Sequence, residues 1–310
     1  MSALRTRHVT VIAALAATVS LGLAACSSSD STSPAEPTAT AAASTGTDLA
    51  SLVPADVAAD GSLTFGTELG YPPFEYTDTD NKTPIGFDID LARAAAEALG
   101  LTAEFQNAAF DSIIPSVISK RYEAGISSFT ITPEREKQVD FVSYLLSGDA
   151  GVVPVGNPKG IALDESICDT KIGVLKGSTQ ETDTIPALNA ACKTAGKPEA
   201  AVTVIAASDQ MPIALQSGRV ESLVTDSANA AFIAANSKGK FEVPAGALLN
   251  PVTLGILMGK DTGLAPALQA AVQQLIDNGT YQQLADKYNL STSVILNSQV
   301  NPTGEVTPKV

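Results

Sequence analysis

Two successive series of short apolar strands and helices limit the fold of this chain more than any other feature. The first series predicts strands at 63–67, 102–106 and 124–126, separated by helices at 89–99 and 110–121. The second predicts strands at 171–175, 202–206 and 220–225, with one helix after 180 that Pro186 should kink or delay and another at 211–217. Helices at 264–276 and 281–288 follow. This alternation predicts an α/β fold with a largely parallel sheet, in which ligands bind beyond the carboxyl ends of the strands.

The turn after the third predicted strand has the chemistry of an anion site. Hydroxyl groups follow the strand at Ser127, Ser128 and Thr130. Thr132 supplies an N-cap hydroxyl for a helix that begins with proline, and Arg135 lies just inside that helix. A guanidinium near hydroxyl and N–H groups can bind both oxygens of a carboxylate. Taken alone, the same residues also fit an ordinary strand–turn–helix with a surface arginine.

The first 25 residues have the pattern of a signal peptide. Arg5 and Arg7 precede an apolar run at 9–23 that is short for a membrane span. The run ends in Leu-Ala-Ala-Cys, which resembles the lipobox of bacterial lipoproteins, in which the cysteine, here Cys26, is lipidated and becomes the mature N-terminus. An uncleaved membrane anchor is the alternative. We expect a lipid anchor at the outer face of the bacterial cytoplasmic membrane.

The lipidated cysteine and a flexible tether are predicted to occupy residues 26–52. Residues 27–46 consist mainly of Ser, Thr, Ala and Pro, so they lack the apolar surface needed to fold. Beyond Cys26 the chain has an even pair of cysteines, Cys168 and Cys192, which in an exported protein predicts a disulfide. Two buried free thiols are the alternative.

Charge and histidine content exclude several classes of function. Cleavage after residue 25 would remove Arg5 and Arg7, leaving 17 basic against 33 acidic residues. Such an acidic protein is not expected to bind nucleic acid or anionic lipid. The single histidine, His8, lies in the predicted signal, so we expect no His-based catalytic triad, no zinc site and no cofactor.

Five ordered blocks together resemble the family 3 extracellular solute-binding proteins, the amino-acid receptors of ABC importers. The blocks are GTELGYPPFEY, GFDIDLA, FDSIIPSVISKRYEAGISSFTITPEREKQVDF, KIGVLKGSTQE and LQSGRVESLVTDSANAAF. The resemblance extends from about residue 63 to 289. It departs from the family pattern at Glu123 and Glu221, where the family usually has aspartate, and at Pro186. We interpret these as structural substitutions that leave the ligand site intact.

The resemblance implies a two-lobed, periplasmic-binding-protein-like fold of type II. Each lobe would contain a mixed, mostly parallel sheet flanked by helices, with the ligand in the cleft between the lobes. The expected boundaries are 53–146 plus 253–297 for the first lobe, 147–252 for the second and 298–310 for a tail. The protein would act as a monomer, and lobe closure would present a joined surface to a membrane permease.

The resemblance also implies a set of ligand contacts. Arg135, with the backbone N–H groups of Ser128 and Thr179, would bind the carboxylate of an amino acid. Asp226 and the acceptors around Ser127, Ser128 and Thr130 would bind its ammonium group. Without the resemblance, Asp226 would be interpreted as an ordinary helix cap. The ligand side chain would lie between Tyr71 and Phe110, although aromatic residues that follow strands usually belong to the core.

Glu68 determines which amino acid is expected. In the family this loop reaches the distal end of the ligand side chain, and an acid there disfavours glutamate or aspartate. Arginine, lysine or ornithine is therefore expected ahead of glutamine, with acidic ligands last. The alternative is that Glu68 faces solvent.

Two further functions fit the same fold. In a cyclohexadienyl or arogenate dehydratase, Glu68 would protonate a leaving hydroxyl. A sensor lipoprotein without a transport role would not need both Arg135 and Asp226. The presence of both residues favours amino-acid binding without catalysis.

Overall fold

The computed structural model describes residues 49–245 and 249–302. The predicted signal peptide, Cys26 and the tether up to residue 48 lie outside the described residues, as does the tail from residue 303. None of the helices described in these ranges combines the length and the apolar character that a membrane crossing requires.

The described elements alternate as the sequence predicts. The strands are β1 (Ser62–Thr67), β2 (Tyr76–Thr77), β3 (Pro84–Ile85), β4 (Thr102–Asn107), β5 (Ala124–Gly125), β6 (Val139–Pro154), β7 (Lys171–Leu175), β8 (Ala201–Ile205), β9 (Ser222–Asp226), β10 (Phe241–Glu242) and β11 (Leu249–Gly259). The helices are α1 (Ala55–Ala58), α2 (Phe87–Ala98), α3 (Phe110–Ile118), α4 (Pro133–Glu136), α5 (Ile185–Thr194), α6 (Met211–Gln216), α7 (Ser227–Asn236), α8 (Leu264–Asp277) and α9 (Thr280–Lys287).

One mixed sheet contains the same three-stranded parallel unit twice. Its strand order is β4-β1-β5-β11-β6-β9-β7-β8, with β10 added to β6. β1 pairs in parallel with β4 and β5. β7 pairs in parallel with β8 and β9. The α/β class with a mixed sheet is therefore confirmed, but the sheet is not mostly parallel, because β6 and β11 add as many antiparallel pairs as there are parallel ones. We call β1, β4 and β5 with their helices the first half and β7, β8 and β9 with theirs the second half.

The two glutamates at which the sequence departs from the family pattern have equivalent structural roles. Glu123 Oε2 accepts the N–H of Thr64 in β1 at 2.9 Å. Glu221 Oε2 accepts the N–H of Lys171, the first residue of β7, at 3.1 Å. Each carboxylate thus joins the start of the third strand of its half to the first strand.

Two long antiparallel strands connect the halves. β6 pairs with β11 from Val139 to Asp149 and then with β9 from Asp149 to Val152. The periodicity did not predict these strands, because β6 is buried along most of its length and includes Ser, Gly and Asp among its apolar residues. Such strands lack the alternation of a half-exposed strand.

The core of the first half forms where α2 and α8 pack on the sheet. Leu91, Ala92, Ala95 and Ala96 share the buried face of α2. The helix begins beside Gly86, whose φ is +127° and whose Cβ, if it had one, would lie 2.1 Å from the carbonyl oxygen of Phe74. Only glycine permits this approach, which holds the loop after β1 against the start of α2.

Several predicted details differ from the structure. The helix predicted at 89–99 begins two residues earlier, at Phe87, with Gly86 in the N-cap position and Asp88 buried in the first turn. The helix predicted at 110–121 ends at Ile118. Pro186 follows a single π-helical turn, Gln180–Thr184, and occupies the second position of α5. Its ring therefore delays the regular helix without breaking it, because the first helical N–H groups need no helical partner.

The predicted disulfide is confirmed. Cys168 and Cys192 are bonded, with their Cα atoms 5.7 Å apart. The bridge joins the segment before β7 to α5, and Cys192 is fully buried in the core of the second half.

Candidate functional site

A cavity lies between the two halves, where the carboxyl ends of β1, β5, β7 and β9 meet. The part of it that the centre of a water molecule can reach measures about 20 Å³. All nine ligand-binding candidates from the sequence line it: Glu68, Tyr71, Phe110, Ser127, Ser128, Thr130, Arg135, Thr179 and Asp226. Five residues that the sequence did not single out also line it: Glu75, Leu175, Ser178, Gln180 and Thr225. The parallel strands of both halves point their carboxyl ends at this space, which explains the convergence.

The serine pair after β5 is held by buried acids. Ser127 Oγ donates to Glu75 Oε1 at 2.8 Å and accepts the N–H of Glu68 at 3.1 Å. Ser128 has a φ of +50° and donates its N–H to Asp88 Oδ2 at 2.8 Å. The expectation that this N–H would bind a ligand carboxylate is therefore wrong, because Asp88 already accepts it.

Arg135 also lines the cavity. Its helix starts as predicted, since Thr132 Oγ1 accepts the N–H of Arg135 and Pro133 follows the cap. The guanidinium donates to the carbonyl oxygens of Thr130 at 2.8 Å and Gly177 at 3.0 Å. These contacts use two of the five guanidinium N–H groups and fix the orientation of the other three. Burial lowers the pKa of Arg135 to about 10, against the opposing charges of Asp183 and Asp226.

Phe110 supports this cation from below. Its ring stacks on that of Phe129 with centroids 4.4 Å apart. The Arg135 guanidinium carbon lies 5.7 Å from the Phe110 centroid and 5.5 Å from that of Phe129. The aromatic faces thus stabilise the guanidinium by cation–π attraction.

Asp226 is turned into the cavity instead of capping its helix. It occupies the N-cap position of α7 but makes no side-chain cap bond. Its Oδ2 accepts from Ser128 Oγ and from the Tyr71 hydroxyl, both at 2.9 Å. Gln180 Nε2 donates to Oδ1 at 3.3 Å. Burial, which leaves the residue 4% exposed, raises the pKa of Asp226 to about 6, and the hydrogen bonds from Ser128 and Tyr71 oppose that rise.

Tyr71 spans the cavity from the first half to the second. Besides its contact with Asp226 Oδ2, its hydroxyl accepts the N–H of Asp226 at 3.0 Å and lies 2.7 Å from Thr225 Oγ1. The ring remains part of the cavity wall. Tyr71 therefore both lines the site and joins its two sides.

Glu68 faces inward and is only 7% exposed. Its Oε1 accepts the N–H of Ser208 from the second half at 2.9 Å. Oε2 is buried and has no hydrogen-bond partner among residues 49–245 and 249–302. Burial raises the pKa of Glu68 above its usual range.

The N-terminal turn before α5 completes the cavity. Thr179 is its N-cap residue, and its hydroxyl lies 3.4 Å from Thr130 Oγ1. The following Gln180 donates to Asp149 Oδ1 at 2.7 Å as well as to Asp226. A helix start has N–H groups without helical partners and favours an anion.

Acidic side chains outnumber cations among the residues that line the cavity. Glu68, Glu75 and Asp226 line it together with the single guanidinium of Arg135. Glu75 is part of the PPFEY block, but nothing local shows that its side chain turns into the cavity. In the described part of the chain, no three or more His, Cys, Asp or Glu side chains are placed to hold a metal ion.

Comparison with known proteins agrees with this architecture. Residues 63–291 match the model of the bacterial extracellular solute-binding proteins, family 3. The arginine-binding protein ArgT of Corynebacterium glutamicum is 31% identical over 254 residues, which cover 82% of this chain and 83% of that protein.

Two solved structures are similar over nearly their whole length. An ancestral arginine-binding protein bound to glutamine has a TM-score of 0.67 and 33% identity, covering 74% of this chain and 98% of that one. The ancestral amino acid-binding protein AncCDT-1, a precursor of cyclohexadienyl dehydratase, has a TM-score of 0.65 and 31% identity, covering 75% and 97%. With the twice-repeated parallel unit and the cavity between its halves, these matches show that the chain belongs to the family 3 bacterial extracellular solute-binding proteins.

Proposed function

We propose that the protein binds a free L-amino acid with a basic side chain in this cavity and delivers it to an ABC importer. The observation that carries the proposal is the buried, unpartnered Oε2 of Glu68 in a cavity that already holds Asp226 and Arg135. A basic amino acid has two cationic groups, which complement Glu68 and Asp226, and one anionic group, which complements Arg135.

The backbone groups of the ligand would lie between Arg135 and Asp226. The free N–H bonds of Arg135 suit a carboxylate, and the start of the helix at Thr179 adds a favourable dipole. Asp226 suits the ammonium group, with the hydroxyls of Ser128 and Tyr71 fixing the orientation of its carboxylate. A bound ammonium would stabilise the ionised form of Asp226 and so lower its pKa from about 6.

The distal group of the ligand side chain would reach Glu68. A guanidinium or ammonium there pairs with a buried carboxylate that lacks a partner, whereas a second carboxylate would be repelled. Glutamine can donate only neutral N–H groups to the same oxygen. We therefore propose arginine, lysine or ornithine ahead of glutamine, with glutamate and aspartate last. The arginine-binding relative supports arginine as the ligand.

Closure of two lobes would bury the ligand. We propose 53–146 plus 253–297 and 147–252 as the lobes, joined by β6 and β11. Several contacts that cross the cavity favour a closed arrangement: Lys176 pairs with Asp111 at 2.7 Å, and Asn229 Nδ2 donates to the carbonyl oxygen of Pro72 at 2.6 Å. We further propose that the mature chain is a monomer, anchored through lipidated Cys26 to the outer face of the cytoplasmic membrane.

A dehydratase on the same fold is the second candidate, and the similarity to AncCDT-1 is the observation that favours it. Glu68, with a raised pKa, would then serve as the acid. Against this, Oε1 of Glu68 is occupied by Ser208, and the cavity contains Arg135 and Asp226, which suit the carboxylate and the ammonium group of an amino acid. We propose binding without turnover.

Mass spectrometry of the small molecules released when the purified protein is denatured tests the proposal. We expect stoichiometric arginine, lysine or ornithine. Purification of the Arg135→Ala variant provides the control, because it should release none. Release of an acidic amino acid, or consumption of added prephenate or arogenate, would contradict the proposal.

A further inference from the structure

Two buried carboxyl groups accept hydrogen bonds from the adjacent residues Ser127 and Ser128. Glu75 ends the loop after β1 and is 1% exposed, and Asp88 lies in the first turn of α2 with no exposed surface. The loop and the helix are joined by the N–H of Asp88, which donates to the carbonyl oxygen of Phe74 at 2.9 Å. Among the described residues neither acid has a cationic partner: Arg135, the one cation of this part of the chain that lines the cavity, donates to Thr130 and Gly177.

Each acid uses one oxygen for a donor and leaves the other without one. Glu75 Oε1 accepts from Ser127 Oγ, and Asp88 Oδ2 accepts from the Ser128 N–H and from the Tyr144 hydroxyl, all at 2.8 Å. Glu75 Oε2 and Asp88 Oδ1 are buried and receive no N–H or O–H donor within the described ranges. Each carboxyl group lies close enough to shift the pKa of the other, so one donor could serve both of these oxygens.

A hydrogen bond between two carboxyl groups requires a proton on one of them. Two ionised carboxylates would repel each other in this dry environment, whereas one shared proton supplies the missing donor. The charged and titratable groups around the pair are Glu68 on the same loop, Asp226 and Arg135 across the cavity, and the hydroxyls of Tyr71 and Tyr144. Among these neighbours the acids outnumber the single cation, which favours retention of the proton.

We propose that Glu75 and Asp88 share one proton, with Glu75 as its donor, and that this pair positions the serines that orient the two ligand-facing acids. Through Ser127, Glu75 holds the backbone of Glu68. Through the Ser128 N–H, Asp88 holds the left-handed turn that aims the Ser128 hydroxyl at Asp226. The role in ligand binding rests on the proposed function, whereas the shared proton does not.

The pKa shifts agree with this arrangement. Burial, followed by the charge of Asp88, raises the pKa of Glu75 well above its usual range. Burial raises the pKa of Asp88 only to about 6, because its hydrogen bonds with Ser128 and Tyr144 favour the ionised form. Asp88 accepts two donors and Glu75 accepts one, which favours Glu75 as the member that keeps the proton.

Infrared spectroscopy of the ligand-free protein tests the proton directly. A protonated carboxylic acid has a C=O stretching band that a carboxylate lacks. We expect that band in the wild-type protein at pH 7.5 and its loss in Glu75→Gln, while Glu123→Gln, which removes a carboxyl outside the cavity, retains it. Absence of the band from the wild-type protein would overturn the proposal, whatever the ligand is.

Arginine titrations then test the positioning role. Glutamine at position 75 can donate to Asp88 and accept from Ser127, but alanine leaves Asp88 Oδ1 without a donor. We expect Glu75→Ala to weaken binding at least about tenfold more than Glu75→Gln does, in keeping with an unsatisfied buried acceptor. We also expect wild-type affinity to fall at alkaline pH more steeply than that of Glu75→Gln, which has no proton to lose. Equal affinities of Glu75→Ala and Glu75→Gln for arginine, or parallel pH profiles of the wild type and Glu75→Gln, would refute the positioning role. If Glu75→Ala does not fold, the comparison of the two pH profiles decides alone.

Discussion

Replacement of Glu68 by glutamine isolates the charge at the distal end of the cavity. The amide has the same shape, and its oxygen can still accept the N–H of Ser208. What is lost is a negative charge on a residue that is 7% exposed and has one oxygen without a partner. The substitution therefore changes the interaction with a ligand cation more than it changes the fold.

The magnitude follows from the burial of this group. Hydrogen bonds to charged groups contribute about 1.5–3 kcal/mol, against about 1 kcal/mol for neutral ones, and removal of one member of a desolvated ion pair costs about 2–5 kcal/mol. We expect a loss of about 2 kcal/mol, or about 30-fold in the Kd for arginine. The Kd for glutamine should change by less than about threefold, because its amide needs no counter-charge.

Isothermal titration calorimetry of the ligand-free proteins at pH 7.5 provides the assay. Glu123→Gln is the matched control, since it makes the same chemical change at a carboxylate that accepts the N–H of Thr64 outside the cavity. The unfolding free energy of Glu68→Gln should be no lower than that of the wild type, because burial disfavours the ionised carboxylate. Arginine affinity that is unchanged in a folded Glu68→Gln protein would refute the reasoning.

Three further predictions concern other parts of the site and fold. Arg135→Ala should weaken the binding of every amino acid by about 3 kcal/mol or more, because it leaves a desolvated ligand carboxylate unpaired. Calorimetry with arginine and glutamine checks this, and Arg121→Ala, at an exposed arginine, is the control. Weaker binding of only one of the two amino acids would be the contrary result. The pKa of Asp226 is about 6 in the folded protein and about 3.8 in an unfolded chain, so the folded protein binds this proton more tightly. The contribution of Asp226 to the free energy of unfolding should therefore increase as pH falls from 7 towards 4. Ligand binding near pH 6 should release protons and should weaken as pH falls further. Calorimetric titrations in buffers of different ionisation enthalpy measure this release, and its absence would contradict the role of Asp226. Removal of the bridge in Cys168→Ser/Cys192→Ser should lower the unfolding free energy by about 3 kcal/mol and leave arginine affinity within about threefold, which denaturant titration and calorimetry can separate.

Local chemistry made parts of this structure predictable. The start of α4 follows from Thr132 and the proline after it, because the Thr132 hydroxyl accepts the N–H of Arg135, three positions further on. The parallel units follow from strand and helix periodicity, and the bridge between Cys168 and Cys192 follows from cysteine count in a chain predicted to be exported.

Other features depend on contacts between distant parts of the chain. Asp226 leaves its helix cap because Ser128 and Tyr71, which are 98 and 155 positions away in the sequence, offer it hydroxyl donors. The partner of the Ser128 N–H is Asp88, 40 positions away, so the sequence suggested a free donor where none exists. No local pattern could show that Glu75 and Asp88 meet, since each residue alone fits a loop or a helix start.

The central claim is that this cavity selects a free basic amino acid by charge. Competitive calorimetry on protein stripped of ligand measures this most directly, with arginine, lysine, glutamine and glutamate titrated under one set of conditions. We predict that arginine or lysine binds more tightly than glutamine and that glutamate does not compete. Glutamate binding as tight as that of arginine, or no binding of any free amino acid, would contradict the account.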